Sequence, residues 1–314
     1  MRLYRPYKRM TIAAILLAVS AAGAVASGIQ YQSTPTTVST DYAFDAEIVA
    51  MRDATVAATP DSSGGSYAIG VTAGGSGDSE NRLLAAIGGA GGTIPYRIVD
   101  SASAGNDLKD IGDNPSSSEL LTGSVGAGES STESFEVLVP GGDLPPPGTY
   151  TDTVGLPLYR YVAFLDTYVP VEQPSLDVSV SVPPLVELSL VPVGGSFDPG
   201  SDSYALDLGF LEEGTRSYLE MLIRANVSYV VTMESANGGN LAHTDPNDAS
   251  LVPYRLSVDR TAVDLSAGAQ PVARGAGPTQ TTGTRYEVEV EVLQPGAASS
   301  GDYRDVIQVT VTAQ

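Results

Sequence analysis

The sequence has no cysteine and no tryptophan, and it has a single histidine among its 314 residues. The lack of cysteine excludes disulfides, thiol catalysis and every cysteine-based metal site. One histidine, His243, cannot by itself supply a zinc site or a Ser–His–Asp triad, and we interpret it as a residue of a surface loop. The fold must therefore be held together by packing and hydrogen bonds.

Long apolar runs are also missing, with one exception near the N-terminus. Basic residues between positions 2 and 9 are followed by an apolar run at 12–19 and by small residues that end at Ala26. This order is typical of a secretory signal peptide, and the run is too short to span a bilayer. We expect cleavage after about Ala26 and export of the mature chain.

Positive charge is scarce in this protein. Lys and Arg number 16 against 37 Asp and Glu, which gives a formal net charge of −21 at pH 7. Loss of the signal peptide makes the chain more acidic, because all the charged residues of that segment are basic. Such a surface repels nucleic acid and anionic membranes, so we expect no nucleic-acid partner.

Turn-forming residues are abundant, with 34 glycines and 21 prolines beside 42% hydrophobic residues. Apolar residues alternate with polar ones from Leu176 to Val182, from Tyr286 to Val292 and from Ile307 to Thr312. This period of two indicates strands with one buried and one solvated face, as in antiparallel sheets. Helical periodicity is nearly absent after the first 26 residues, so the sequence predicts an all-β protein.

The chain also contains two copies of one pattern, in the same order and at similar spacing. Ile94–Ile98 (IPYRI) reappears as Val252–Leu256 (VPYRL), and a Gly-x-Tyr-x-Asp unit occurs at Gly148–Asp152 and again at Gly301–Asp305. The other matching pairs are Ser66–Ile69 with Ser228–Val231 and Phe135–Val139 with Tyr286–Val292. Duplication of an alternating pattern predicts two antiparallel β-sandwich domains with Ig-like topology.

The domain boundary is predicted to follow the first Gly-x-Tyr-x-Asp unit. The expected organisation is a signal peptide at 1–26, an N-terminal β-sandwich at 27–168, a proline-containing linker at 169–175 and a C-terminal domain at 176–314. A short linker with proline limits the angle between the domains.

Four segments of the sequence resemble a known family. Asn237–Leu241, Val252–Asp259, Pro146–Val154 and Gly301–Val311 are similar to the signatures of spore coat protein U domains, the subunits of archaic chaperone–usher pili. The resemblance implies an Ig-like fold that lacks one strand and leaves a hydrophobic groove open. A periplasmic chaperone would fill the groove first, and a strand donated by the next subunit would replace it.

On that picture the C-terminal domain, residues 176–314, is an incomplete pilin fold whose groove is flanked by its first and last strands. The alternative is an ordinary sandwich core, and alternation alone does not separate the two. The candidate groove residues are Val178, Val180, Val186, Leu188, Ile307, Val309 and Val311.

A two-domain member of the family resembles the tip adhesin, with an adhesive N-terminal domain. The implied partners are the chaperone, the outer-membrane usher, neighbouring pilin subunits and an abiotic or host surface, and the implied role is attachment or biofilm formation at the cell surface. Apolar residues on exposed loops would make the contact, although the same residues could be packed inside. The candidates are Leu83, Leu84, Ile87, Leu120 and Leu121.

Two rival functions stay open at this stage. One is a free-standing secreted binding module for carbohydrate or a surface layer, although the lack of tryptophan leaves little material for sugar stacking. The other is a glycan hydrolase, for which no carboxylate pair is singled out. Calcium could bind at Asp198–Asp202 or Asp245–Asp248, but neither matches an EF-hand loop. The sequence indicates no enzyme activity and no cofactor.

Overall fold

The computed structural model describes residues 28–89, 91–102 and 105–314, and every regular element there is a β-strand or a single-turn 3₁₀ helix. The predicted all-β class is therefore confirmed. The predicted signal peptide at 1–26 lies outside the described residues. Within the described ranges, no helix has the length and apolar character needed to cross a membrane.

The N-terminal domain is a two-layer β-sandwich. Its larger sheet has the order β1-β3-β8-β6-β5-β9-β12-β2, and its smaller sheet has the order β11-β10-β4-β7. All neighbours are antiparallel except β2 and β12. The strands are β1 (Ile29–Ser33), β2 (Thr37–Asp41), β3 (Ile48–Ala58), β4 (Gly65–Ile69), β5 (Arg82–Ala86), β6 (Thr93–Asp100), β7 (Leu121–Val125), β8 (Ser130–Val139), β9 (Gly148–Gly155), β10 (Leu158–Val162), β11 (Thr167–Glu172) and β12 (Ser175–Val182).

The C-terminal domain repeats the arrangement with fewer strands and its own apolar core. Its larger sheet has the order β13-β14-β20-β17-β16-β21, with β18 paired to β17, and its smaller sheet has the order β19-β15-β22. The strands are β13 (Val186–Val191), β14 (Arg216–Ala225), β15 (Tyr229–Ser235), β16 (Asn240–His243), β17 (Leu251–Val258), β18 (Thr261–Val263), β19 (Gln270–Gly275), β20 (Thr284–Val292), β21 (Tyr303–Arg304) and β22 (Ile307–Ala313). The prediction of two antiparallel sandwiches is confirmed.

Alternation in sequence decides which face of each strand is buried. In β20 the residues Val288, Val290 and Val292 point into the core, while the glutamates between them lie on the other face. There, Arg216 pairs with Glu289 at 3.1 Å and with Glu291 at 2.9 Å. The outer face of the strand thus carries ion pairs, and the buried face packs in the core of the sandwich.

The two copies correspond residue by residue. The Gly-x-Tyr-x-Asp unit opens a long bent strand in each domain, β9–β10 in the first and β21–β22 in the second. In the first domain Arg160 lies opposite Tyr67, and in the second Ala313 lies opposite Tyr229 at the matching position. Arg160 of the first domain and Ala313 of the second therefore occupy equivalent positions.

In each domain the two duplicated motifs are joined by a hydrogen bond between a tyrosine and an aspartate. The Tyr96 hydroxyl donates to Asp152 Oδ2 at 2.7 Å, and the Tyr254 hydroxyl donates to Asp305 Oδ2 at 2.6 Å. The other carboxylate oxygen accepts a backbone N–H in both cases, from Gly75 at 2.8 Å and from Asn237 at 3.1 Å. The tyrosine of the Pro-Tyr-Arg motif and the aspartate of the Gly-x-Tyr-x-Asp motif recur because they bond to each other.

The domain boundary predicted at residues 169–175 is wrong. Residues 167–172 form β11, which pairs with β10, and residues 175–182 form β12, which pairs with β9 and β2. The inward side chains of β12 belong to the N-terminal core. The N-terminal domain therefore extends to Val182, and the connection to the C-terminal domain is the short segment 183–185.

Asn226, which is 2% exposed, ties that connection to both domains. Its side-chain oxygen accepts the Leu185 N–H at 2.7 Å, and its amide nitrogen donates to the Pro145 and Pro183 carbonyls at 3.0 Å each. Pro145 belongs to a loop of the N-terminal domain. The joint is consequently held by hydrogen bonds to segments on each side.

Candidate strand-acceptor groove

The N-terminal domain covers the long strand β9–β10 with two further strands of its own. β11 pairs along β10, and β12 pairs along β9 with Leu176 opposite Val154 and Val180 opposite Tyr150. Beneath this cover Tyr150, Val154 and Leu158 are fully buried. The edge is thus closed, and the core of this domain is sealed.

The corresponding strand of the C-terminal domain has no such cover among the described residues. β22 pairs only with β15, and β21 pairs only with β16. On the opposite side of the sandwich β13 pairs only with β14. The inward side chains Ile307, Val309 and Val311 are only half-buried. An apolar strand edge with one unpaired side can accept another strand by main-chain hydrogen bonding.

An open groove runs along this uncovered edge. One part has a volume of about 680 Å³ and is lined by Ile307 and Val309, by core residues such as Met233 and Val288, and by residues 202–206 and Leu208. A second part of about 640 Å³ continues past Tyr303 and shares residues 304 and 305 with the first. The groove therefore extends from β21 into the first half of β22.

The predicted groove residues divide into three groups. Ile307 and Val309 line the open cavity. Val186, Leu188 and Val311 pack against the same core, on the two strands β13 and β22 whose Cα atoms approach each other within 8 Å. Val178 and Val180 are not groove residues, because they are fully buried on β12 in the N-terminal domain.

Sequence reasoning missed the far wall of the groove. Tyr204, Leu206 and Leu208 line the cavity opposite β22, together with Leu190 of β13. The signal was present, since Tyr204, Leu206 and Leu208 alternate with Ser203, Ala205 and Asp207. Its position in a stretch of many acidic residues and glycines made it resemble a solvated loop.

Tyr254 is a polar residue of the groove, but its hydroxyl group already has a hydrogen-bond partner. Tyr254 lines the cavity and donates to Asp305, and burial, with the adjacent carboxylate, raises the pKa of its hydroxyl well above the usual range. Tyr254 is therefore neutral at any physiological pH. Its hydroxyl is satisfied by Asp305 and needs no partner from an incoming strand.

The predicted adhesive leucines are mostly packed inside the protein. Leu84, Leu120 and Leu121 are buried, so these three predictions are wrong. Leu83 is 36% exposed and Ile87 is 59% exposed. Ile87 follows Ala86, which lies opposite Tyr150, and this places it at the end of the domain that faces the joint.

A more exposed apolar pair lies on the turn between β10 and β11. Phe164 is 85% exposed and Leu165 is 56% exposed. The turn is held by a hydrogen bond of 2.6 Å from the Tyr161 hydroxyl to Asp166 and by the Tyr161–Tyr168 ring contact. Since β9–β10 runs away from the joint, this turn lies at the opposite end of the domain.

The other polar candidates have local structural roles. Asp198 and Asp245 accept backbone N–H groups two residues ahead, from Gly200 and Asn247, at 2.9 Å each. His243 lies on β16 rather than in a loop, with its ring 5.0 Å from that of Tyr303. In the described parts of the chain, no three His, Cys, Asp or Glu side chains are grouped so that they could hold a metal ion.

Comparison with known proteins gives a match to one family. Residues 18–156 match the model of the Spore Coat Protein U domain. This part of the chain is similar to a spore coat protein U domain. The match lies on the N-terminal domain and includes Pro146–Val154, one of the four segments of the resemblance; the other three lie in the predicted C-terminal spore coat protein U domain, residues 176–314. For the C-terminal spore coat protein U domain the prediction stands untested, although the two domains share their topology.

Solved structures with a similar course of the chain come from bacterial pili. One is the chaperone–tip adhesion subunit pre-assembly complex CsuC–CsuE of Acinetobacter baumannii, with 13% identity, a TM-score of 0.44 and coverage of 89% of this chain and 99% of that chain. Another is the CupB6 tip adhesin of Pseudomonas aeruginosa, with 12% identity, a TM-score of 0.33 and coverage of 91% and 94%.

The CooA pilin subunit of enterotoxigenic Escherichia coli has 16% identity, a TM-score of 0.31 and coverage of 50% of this chain and 97% of that chain. Similarity at these levels does not establish a shared function. None of the curated proteins matches the chain.

Proposed function

We propose that this protein is a subunit of an archaic chaperone–usher pilus and that it acts as the tip adhesin. The observation that carries the proposal is the uncovered edge of β21–β22. The same chain covers the equivalent edge of its N-terminal domain with β11 and β12. One copy of the fold is thus complete, and the other needs a strand from elsewhere.

The groove suits a donated strand in its chemistry. Free backbone groups along β21–β22 supply affinity, and the apolar cavity accepts every second side chain of an extended segment. Under the proposal a periplasmic chaperone fills the groove first, a neighbouring pilin subunit replaces it at the outer-membrane usher, and the chain reaches the cell surface in the pilus.

The pairing of the strands in the N-terminal domain supports a position at the tip. Its acceptor edge is filled by β12, and its strands β1 and β2 are hydrogen-bonded to β3 and β12 within the same domain. These strands are therefore not free to enter another subunit. A subunit that accepts a strand through one domain and keeps its described strands within its own sheets would terminate the fibre.

The adhesive contact is assigned to Phe164 and Leu165, at the end of the domain away from the joint. A double substitution Phe164→Ser and Leu165→Ser should reduce binding of the purified protein to a hydrophobic surface such as polystyrene, measured by quartz-crystal microbalance. The control Ile87→Ser removes an apolar residue at the other end of the domain whose exposure, 59%, is similar to the 56% of Leu165. Equal losses in both variants would contradict the assignment.

The groove is tested by supplying the missing strand. A flexible Gly/Ser linker and a copy of Ser175–Val182 are fused after Gln314, and thermal unfolding is compared with the unfused protein. Burial of three or four apolar side chains should raise the unfolding midpoint of the C-terminal domain by about 10 °C or more.

The control fusion carries aspartate at the two positions that copy Val178 and Val180, and it should give no rise. An unchanged midpoint with the unmodified copy, in a protein that is already stable, would show the groove to be no acceptor. That result would favour a free-standing secreted binding module.

A further inference from the structure

The joint between the two domains has a counterpart at the far end of the C-terminal domain. β12 fills the edge of β9 and leads through residues 183–185 directly into the next folded domain. That domain contacts the end of the sandwich from which β12 leaves, because Arg224 donates to Asp45 and Asn226 donates to the Pro145 carbonyl. Under the proposed function, a strand that enters along β21–β22 in the direction of β12 leaves the C-terminal domain at the equivalent end.

The strand pairing shows which residue of the C-terminal domain corresponds to Asp45. The arginines of the duplicated Pro-Tyr-Arg motif lie opposite equivalent residues of β8 and β20. Those residues lie in turn opposite Val49 on β3 and Arg216 on β14. Counting back four residues from Val49 reaches Asp45, and counting back four from Arg216 reaches Glu212. A carboxylate therefore stands at the same position in both domains.

The Pro145 carbonyl has a counterpart as well. Tyr150 and Tyr303 of the two Gly-x-Tyr-x-Asp units each donate to the carbonyl four residues earlier, at 2.8 and 2.7 Å. The residue before that carbonyl is Pro145 in the first domain and Ala298 in the second. The far end of the C-terminal domain thus has a carboxylate and a carbonyl at the two positions that bind the next domain in the first copy.

The surroundings of Glu212 are exposed. Glu212 forms no ion pair with any residue that the structure describes. Phe210 is 92% exposed, and its carbonyl is fixed by the Glu212 N–H at 3.0 Å and by the Thr215 hydroxyl at 3.3 Å. Phe210 and Ala298 both line the second part of the groove. An exposed aromatic ring held beside an unpaired carboxylate is suited to contact with another protein.

We propose that this end of the C-terminal domain, formed by Phe210, Glu212 and Ala298, docks the folded domain that follows the donated strand in the neighbouring subunit. That domain presents an arginine or lysine to Glu212, as Arg224 is presented to Asp45, and Phe210 packs against its surface. The inference rests on the proposed function. It adds a contact outside the groove that sets the angle between consecutive subunits, as the joint sets the angle between the two domains of this chain.

Two synthetic peptides test the ion pair. One has the sequence of residues 173–187 with Glu187→Arg, because Glu187 lies 2.6 Å from Arg224 in the joint, and the matched peptide carries Glu187→Gln. The arginine peptide should bind the mature full-length protein about threefold more tightly at low salt, as expected for an exposed ion pair. In about 0.5 M NaCl the difference should disappear, because salt screens exposed charges. Isothermal titration calorimetry measures the affinities.

Variants of the protein locate the carboxylate. In Glu212→Gln the two peptides should bind with equal affinity. Glu234→Gln is the control, since it removes the same charge from an exposed position on β15, and it should keep the threefold difference. A preference for the arginine peptide in Glu212→Gln as large as in the unmodified protein would overturn the proposal.

The position of Phe210 gives a second readout. Because the sequence has no tryptophan, Phe210→Trp introduces a single fluorescent reporter. Its emission should shift to shorter wavelength with the arginine peptide of residues 173–187, whose last residues leave the groove over this end. The shorter peptide 173–182 should leave it unchanged, and Phe164→Trp, on the N-terminal domain, should respond to neither. Equal shifts of the Phe210→Trp emission with both peptides would contradict the docking position.

The outcomes separate this inference from the proposed function. Binding of both 173–187 peptides without a preference for arginine would overturn the inference and leave the acceptor groove standing. Failure of both peptides to bind would count against the proposed function and the inference together. A shift of the Phe210→Trp emission that rises with protein concentration in the absence of peptide would identify a second copy of this chain as the partner, and would overturn the assignment to a different subunit.

Discussion

At the scale of single residues, the aspartate of each Gly-x-Tyr-x-Asp unit joins three parts of its domain. Asp305 accepts hydrogen bonds from the Ser235 and Tyr254 hydroxyls and from the Asn237 N–H. The bonds connect the turn after β15, the strand β17 and the start of β22. This explains why the motif was visible in the sequence as a repeat.

Replacement of Asp305 by alanine should destabilise the C-terminal domain by about 1–3 kcal/mol, because a buried hydroxyl and a backbone N–H lose their acceptor. Tyr254→Phe should cost about 1 kcal/mol, since it removes one hydrogen bond and leaves the other two. Urea unfolding measures both, with the exposed Asp302→Ala as control, which should lie within about 0.5 kcal/mol of the unmodified protein. If Asp305→Ala changes the free energy of unfolding as little as the control does, the hydrogen bonds of Asp305 do not stabilise the domain.

At the scale of secondary-structure elements, β12 and β22 have the same alternating pattern, but β12 covers an apolar core and β22 lies at the open side of one. β12 carries Leu176, Val178 and Val180 into the N-terminal core, and each fully buried side chain of this size contributes about 1.5–3 kcal/mol. β22 has the same apolar pattern, but its inward residues are half-buried, and none of the strands that the structure describes covers them. The two domains therefore differ in whether a described strand covers the apolar edge, and not in the residue pattern of their strands.

The same substitution should therefore have different effects in the two domains. Val154→Ala, under β12, should cost about 2–3 kcal/mol, and Val309→Ala should cost about 1 kcal/mol or less in the free protein. In the protein fused to a copy of β12, the cost of Val309→Ala should rise towards that of Val154→Ala. Urea unfolding of the three variants and their two parent proteins measures this, and equal costs of Val309→Ala with and without the fused strand would contradict an acceptor role.

At the scale of the whole molecule, a charged clamp spans the joint between the domains. The Arg224 guanidinium donates to both carboxylate oxygens of Asp45 at 2.7 and 2.9 Å and to Glu187 at 2.6 Å, and it stacks 4.9 Å from the Phe197 ring centre. Asp45 belongs to the N-terminal domain and Arg224 to β14. Together with Asn226, the clamp sets the direction of the Phe164 turn relative to the groove.

Loss of the clamp should loosen the joint without unfolding either domain. Arg224→Met keeps the aliphatic packing but removes the hydrogen bonds to Asp45, so the distribution of interdomain distances should broaden in small-angle X-ray scattering or in a fluorescence energy-transfer pair. Arg255→Met, which changes an exposed arginine of the same domain, is the control. Identical scattering of all three proteins would show that Asn226 alone holds the joint.

The clamp also predicts a dependence on pH. The hydrogen bonds from Arg224 lower the pKa of Asp45 below its usual value, so the folded state favours the ionised carboxylate. The contribution of the clamp is then fully present above the pKa of about 3.9 that Asp has in an unfolded chain, and it is lost as the pH falls through the lower folded value. Interdomain distances should stay constant from neutral pH to about 4 and broaden below it. In Asp45→Asn, the joint should already be broad at neutral pH.

The sequence by itself determined the all-β class, the duplication and the strand faces, because alternation and repeated motifs are local properties of the chain. It also singled out Ile307 and Val309, which line the open cavity. It could not assign β12 to a domain, since an alternating strand buries its apolar face equally well in the core before it or after it in the chain. Nor could it tell packed leucines such as Leu84 and Leu121 from exposed ones.

Only the tertiary structure decided those points. Hydrogen bonding of Leu176–Val182 to β9 showed that the first domain closes itself, and in the second domain no described strand pairs with the outer edge of β21–β22. The joint between Arg224 and Asp45 and the far wall at Tyr204–Leu208 depend on contacts between residues distant in sequence. Pairing partners across such separations are set by how the sheets close around a core, and no local pattern records them.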